Sequence, residues 1–254
     1  MMRLKAIRKK IKNKLFKKFF LEYKIQQNNN YSDFTDEELG IIKHVKGYTM
    51  TSPERIVSLV RAINYVEKNN IEGSIVECGV WKGGSMMATI LAMKEKNKDI
   101  YLYDTFEGMS EPTKEDKSYK NESAQEAFLS KDEYWKRIEC YSTIDEVKSN
   151  IFSLEYPINK IHFVQGKVEE TIPATIPEKI AVLRLDTDWY ESTMHEMVYL
   201  FPKLVIGGVI IIDDYGHWQG CKLAVDEYIS KNNIKLLLNR IDYTGRIGIK
   251  LLNE

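Results

Sequence analysis

Leu4, Ile7, Ile11, Leu15 and Phe19 recur every three or four residues, with Lys and Arg between them. That spacing predicts a helix with one apolar stripe. Gln26–Asn30 and Tyr31–Asp36 then read as a polar linker. From Ser52 the pattern becomes regular. Ser52 suits an N-cap and Pro53 the first helical turn, and Ile56, Leu59, Val60, Ile63 and Val66 form one stripe that Asn69-Asn70 and Gly73 end. Apolar runs predict strands at Ser74–Cys78, Ile100–Tyr103, Ile161–Val164, Ile180–Leu185 and Val209–Ile212, with late strands at Lys235–Leu238 and Ile247–Leu252. Helices are predicted over Gly83–Lys94, Tyr190–Leu204 and Trp218–Lys231.

Strands alternating with helices predict an α/β fold, a doubly wound and mainly parallel seven-stranded sheet covered on both faces. The two late strands are close enough in sequence to end the sheet as an antiparallel hairpin. The expected organisation is a basic amphipathic helical arm and linker over residues 1–30, then one domain over 31–254. Within that domain 105–150 is a polar cover or insertion.

Charge sharpens the picture of the arm. Residues 1–24 hold ten Lys and Arg and one acid, Glu22, and so carry +9; the rest of the chain, with 27 basic and 36 acidic residues, carries −9. Basic charge confined to one terminal segment argues against a nucleic-acid partner. The arm admits two readings: an in-plane helix on an anionic membrane surface, or a docking arm for this or a partner subunit. Three cysteines without a CxxC pair argue against a disulfide framework or a zinc cluster and point to a reducing, cytoplasmic setting. No apolar run approaches the roughly 18 residues of a membrane span, and Met1–Ile25 is too interrupted by Lys for a signal peptide.

Candidate chemistry gathers at the strand ends. An open parallel sheet places its ligand outside the carboxyl ends of its strands, and Glu77, Asp104, Asp186 and Asp213 stand at four of them. The run Glu77-Cys78-Gly79-Val80-Trp81-Lys82-Gly83-Gly84-Ser85 is a glycine-rich turn between strand and helix. Glu77 opposes a phosphate but suits a cation, such as the amino or sulfonium group of S-adenosylmethionine. Asp104, 27 residues on, is placed to accept the ribose hydroxyls of an adenosine cofactor. Asp186 after one buried strand and Asp213-Asp214 after the next bring like charges together at one edge. A hard cation such as Mg²⁺ relieves that repulsion, although helix capping alone also favours Asp at 186 and 214. Such a cation suits methyl transfer to a hydroxyl, because it stabilises the forming alkoxide. Asp186 and His217 are the candidate bases.

At these residues the chain resembles the macrocin O-methyltransferase family, which methylates sugar hydroxyls of antibiotics. The likeness lies in Ile75–Ser85, Tyr103–Gly108, Gly166–Pro173 and above all Leu183–Gly216, and spans roughly residues 48–230. It implies a class I methyltransferase fold with S-adenosylmethionine and Mg²⁺, a sugar-bearing acceptor (a surface glycan or glycosylated natural product) and a homo-oligomer. Carried over, it implies metal ligands Asp186, Asp213 and Asp214, with Asp186 also the base. Cofactor contacts fall on Glu77, Gly79, Ser85 and Asp104, with Gly166 and Val168 beside the adenine. Tyr48, Met50 and Thr51 line the methyl-donor pocket, and Trp189 and Tyr190 border the acceptor. The arm lies outside this resemblance.

Three other activities fit parts of the pattern. Asp186-Thr187-Asp188 is an Asp-x-Asp sequence, as in metal-dependent glycosyltransferases, but that reading leaves Asp213-Asp214 and the glycine turn unexplained. A metal-dependent hydroxylase on the same fold and a non-catalytic cofactor-binding scaffold are the others.

Overall fold

A computed structural model of the chain describes residues 31–252, apart from 132 and 134 and the side chains of 137 and 138. The predicted amphipathic arm and the linker Gln26–Asn30 lie outside the described residues. The chain divides into two compact units between Leu39 and Gly40.

Tyr31–Asp36, expected as linker, instead leads into helix α1 (Asp36–Val45). Thr35 and Glu38 form a reciprocal cap: the Thr35 amide donates to Glu38 Oε2 at 2.8 Å, and the Glu38 amide to Thr35 Oγ1 at 3.2 Å. This is a capping box, which satisfies two amides that a helix start leaves without partners.

The larger unit carries a seven-stranded sheet in the order β3-β2-β1-β4-β5-β7-β6. Its strands are β1 (Ser74–Cys78), β2 (Ile100–Asp104), β3 (Ile161–Gln165), β4 (Ile180–Leu185), β5 (Leu204–Ile212), β6 (Asn239–Arg240) and β7 (Arg246–Ile249). The first five run parallel, and β7 pairs antiparallel with both β5 and β6. The order reverses between β1 and β4, where an open sheet leaves a crevice at its carboxyl edge.

Alternate residues of each strand feed two cores. On one face Ile75, Ile100, Leu102 and Ile211 pack against α2 (Pro53–Lys68), α3 (Gly84–Ala92) and α6 (Ile144–Phe152). On the other, Val76, Tyr103, Leu183 and Ile210 pack with residues of α7 (Val168–Thr171), α8 (Tyr190–Tyr199) and α9 (Gln219–Lys231). Each fully buried aliphatic side chain contributes about 1.5–3 kcal/mol. Ser52 caps α2 as predicted, its Oγ accepting from the Arg55 amide at 3.2 Å.

Several boundaries differ from expectation, each for a local reason. The helix predicted over Tyr190–Leu204 ends at Tyr199. Pro202 stands in a 3₁₀ turn over Phe201–Lys203, and the chain enters β5 at Leu204. The early part of β5 was hidden because Gly207-Gly208 interrupts its apolar run, with Gly207 at φ 81°. Lys235–Leu238 forms no strand. Leu236 and Leu238 pack against the second core, and the ladder begins only at Asn239. The insertion over 105–150 contains α4 (Ala124–Ser130), α5 (Trp135–Ile138) and the start of α6. Val147 and Ile151 of α6 belong to the first core, so this end of the segment is part of the sheet's helix layer, not cover. The cover proper is tied down by buried Asp116, whose Oδ1 accepts from the Tyr190 amide at 2.8 Å at the start of α8.

Candidate active site

The β1–α3 turn shapes the crevice at the carboxyl edge. Gly79 has φ 83°, and a Cβ there would collide with the Asp186 carbonyl and lie 2.6 Å from its carbonyl carbon. Its conformation is therefore demanded by the close approach of two strand ends, with the Asp186 amide donating to the Cys78 carbonyl at 2.8 Å. Gly84, at the start of α3, donates to the Tyr48 carbonyl at 3.0 Å and has no room for a side chain against it. That contact lays residues 48–51 across the helix start.

Asp104 closes β2 and turns its carboxylate to the same turn. Its Oδ2 accepts from the amides of Val80 (2.6 Å) and Trp81 (3.1 Å), and its Oδ1 from Phe106 (2.7 Å). Burial raises its pKa, and these amide bonds oppose the rise.

The main departure from the sequence reading is Arg184. It lies in an otherwise apolar strand, only 2% exposed, on the face opposite Leu183 and Leu185. Glu77 is its register partner on β1. Nη1 donates to Glu77 Oε1 at 2.6 Å and Asp186 Oδ2 at 2.7 Å; Nη2 donates to Asp213 Oδ1 at 2.6 Å and Thr51 Oγ1 at 3.1 Å. Burial opposes its charge, but Asp186, Asp213 and Glu77 outweigh that and hold its pKa above the ordinary value. Arg55, from α2, bonds the other oxygen of Asp213 and reaches Asp242 at 3.1 Å.

Two predicted roles change in consequence. Glu77 does not line the crevice; its Oε1 is held by Arg184, its Oε2 is buried without a partner, and burial lifts its pKa to about 7. Asp213, expected as a metal ligand, is turned onto two guanidinium groups. The carboxylates that do converge belong to Asp186, Asp188 and Asp214, each with a potential ligand atom within 4.8 Å of the others. Asp188 entered the sequence reading only through the Asp-x-Asp pattern. Its φ of 70° puts it in the left-handed region that Asp tolerates better than most residues.

The trio is electrostatically strained. Burial raises the pKa of all three: Asp188 to about 7, and Asp186 and Asp214 well above the carboxylate range. Like charges add to the rise, and Asp188 and Asp214 share a hydrogen bond. Asp214 Oδ2 is buried and has no partner. Once ionised, this cluster offers only acceptor oxygens, one of them orphaned, and so suits a hard divalent cation.

These groups edge a single cleft of about 310 Å³. Of the residues expected to touch cofactor, Met50, Thr51, Gly79, Ser85, Asp104, Gly166 and Val168 line it. His217 lines it too. Burial is the main cause lowering its pKa below 6.5, so the imidazole is neutral at pH 7. Trp189 and Tyr190, expected beside the acceptor, face elsewhere. Trp189 is buried against Trp218, with its indole N–H on the Ser110 carbonyl at 3.0 Å, and the Tyr190 hydroxyl donates to Glu227 at 2.7 Å. Ser192, in the first turn of α8, and Trp218 take places in the cleft wall instead. Trp81 of the glycine turn lines the cleft, as do Arg55, Met109 and Cys140, which carried no sequence signal.

A family model described as macrocin-O-methyltransferase (TylF) matches residues 3–247. The match takes in most of the basic arm, which the sequence reading had set outside the resemblance. The demethyldecarbamoylnovobiocin O-methyltransferase of Streptomyces niveus is 30% identical over 204 residues, 78% of this chain and 74% of that one. The mycinamicin III 3''-O-methyltransferase of Micromonospora griseorubida is 26% identical over 201 residues, covering 78% and 76%. The solved structure of the O-methyltransferase NovP superposes with a TM-score of 0.69 at 29% identity, over 81% of this chain and 83% of that one. Against these findings the glycosyltransferase, hydroxylase and scaffold readings fall away. The chain belongs to the macrocin O-methyltransferase family, and is an S-adenosylmethionine-dependent O-methyltransferase.

Proposed function

We propose that this enzyme methylates a hydroxyl of a sugar-bearing acceptor, and that Asp186, Asp188 and Asp214 hold a divalent cation, Mg²⁺, at the reacting oxygen. The observation that carries the reading is the carboxylate trio with its buried, unpartnered Asp214 oxygen at the edge of the cleft. A relative from Streptomyces olivaceus named as a rhamnosyl-tetracenomycin-C 4'-O-methyltransferase supports the acceptor class.

When bound, the cation lowers the energy of the alkoxide that a sugar hydroxyl must approach to attack a methyl group. The chain's own groups do the rest. The β1–α3 turn and the 48–51 segment hold the methyl donor. Asp104, at the end of β2 in the cleft wall, accepts ribose hydroxyls at its carboxylate. Arg184 and Arg55 neutralise Asp213, and Arg184 also pairs with Glu77 and Asp186, which leaves Asp188 and Asp214 as the members of the trio without a guanidinium partner. His217, neutral at pH 7, takes the hydroxyl proton; Asp186 is the poorer base because its Oδ2 already accepts from Arg184.

The test is methyl transfer from radiolabelled S-adenosylmethionine to glycans extracted from the source cell, with Mg²⁺ or with chelator. Label in sugar, abolished by chelator and by Asp214→Asn, is the expected result. Transfer indifferent to chelator refutes the cation, and label confined to non-sugar hydroxyls refutes the acceptor class.

A further inference from the structure

Beside the carboxylate trio, three rings form an open corner. His217 lies 5.6 Å from Tyr119 and 6.0 Å from Tyr243, and the two tyrosines are 6.2 Å apart. Both tyrosines are 54% exposed, yet each sits on anchored backbone.

Tyr243 belongs to the turn between β6 and β7. In that turn the Gly216 amide donates to the Thr244 carbonyl at 2.8 Å, and the Thr244 hydroxyl donates to the Asp213 carbonyl at 2.8 Å. Asp242 accepts from the amides of Thr244 (2.9 Å) and Gly245 (2.7 Å). Tyr119 follows buried Ser118, which bridges to Trp218, and Gln219 donates from its side chain to the Ser118 carbonyl at 2.8 Å. His217 joins the corner to the site, its amide donating to the Asp214 carbonyl at 2.9 Å.

Large aromatic faces held rigidly in water carry an unrecovered hydration cost, and such patches mark binding surfaces. The ring planes meet at 62°, 63° and 75°, so no parallel slot exists for a flat ligand. A puckered ring fits such a corner, with its C–H bonds toward the aromatic faces and its hydroxyls toward the fringe. That fringe is polar: two phenol hydroxyls, the imidazole, and the Lys120 ammonium 5.5 Å from the Tyr119 ring centre.

We propose that Tyr119, Tyr243 and His217 form the acceptor subsite. The tyrosine rings take the C–H face of a pyranose and direct one of its hydroxyls toward Asp186, Asp188 and Asp214. The inference rests on the sugar-acceptor reading and assigns residues to it.

The experiment is saturation-transfer NMR with methyl α-L-rhamnopyranoside on the full chain loaded with S-adenosylhomocysteine. Saturation of the sugar's ring protons is expected in the wild type, lost at least about tenfold in Tyr119→Ala/Tyr243→Ala and retained in Tyr243→Phe, which keeps the ring. Calorimetry with S-adenosylhomocysteine confirms that the double variant is folded. Equal saturation in wild type and double variant overturns the proposal, as does a wild type that binds S-adenosylhomocysteine but leaves the rhamnoside unsaturated. Failure of the sugar-acceptor reading looks different: the rhamnoside is saturated, yet label from the methyl donor never reaches a sugar.

Discussion

Replacing Arg184 with Met isolates the interaction that organises the site. The substitution keeps apolar bulk in β4 but removes the guanidinium that Glu77, Asp186 and Asp213 share at 2.6–2.7 Å. Removing one partner of a buried ion pair leaves its counterions desolvated and unpaired, at a cost of about 3–5 kcal/mol. At about 2–4 °C per kcal/mol for a chain of this size, Tm should fall by about 6–20 °C in a calorimetric scan at pH 7. The deficit should depend on pH. Glu77 already titrates at about 7 with Arg184 in place, because burial raises its pKa and Arg184 lowers it. Without the guanidinium its folded pKa rises further above the unfolded value. Above pH 7 the folded variant then keeps a proton that folded wild type has lost, so its stability falls faster and the deficit widens as pH rises from 7 toward 9. Glu77→Gln in the Arg184→Met background should recover part of the loss. A variant as stable as wild type at pH 7, or a deficit unchanged between pH 7 and pH 9, would refute the account of Arg184 as the site's central counterion.

Three further outcomes follow from local geometry. Gly79→Ala forces a side chain against the Asp186 carbonyl at positive φ, and urea denaturation should show a loss of at least about 2 kcal/mol. Gly47→Ala, with nothing within 4 Å of the added carbon, is the near-neutral control. Ser52→Ala removes the α2 cap and a hydrogen bond to Asp242; a loss of about 1 kcal/mol is expected in the same assay. The His217 pKa, measured from imidazole proton shifts, should lie below 6.5 because burial disfavours its charge. Methyl-transfer rate should therefore hold at pH 7 and fall only below that pKa, and a His217→Asn enzyme that keeps the same acid limb would remove His217 as the base.

The layered sheet, the glycine turn and the acids at the strand ends were legible because each depends on residues near in sequence. Apolar period reports which face of an element is buried, and backbone sterics report where a turn must bend. The capping box at Thr35 and Glu38 was equally local, and the polar composition around it masked it. What the chain order does not contain is register. That Arg184 stands opposite Glu77, and that its guanidinium draws Asp213 out of the carboxylate trio, follows from which strands adjoin and how they align. Asp188 enters the trio through a left-handed backbone turn, while Trp189 is taken up by Trp218 and the Ser110 carbonyl and Tyr190 by Glu227. Sequence thus determined which groups reach the sheet's carboxyl edge. Only tertiary structure decided which of them neutralise one another and which remain free for chemistry, because buried charges are paired by distances of a few ångströms between residues far apart in the chain.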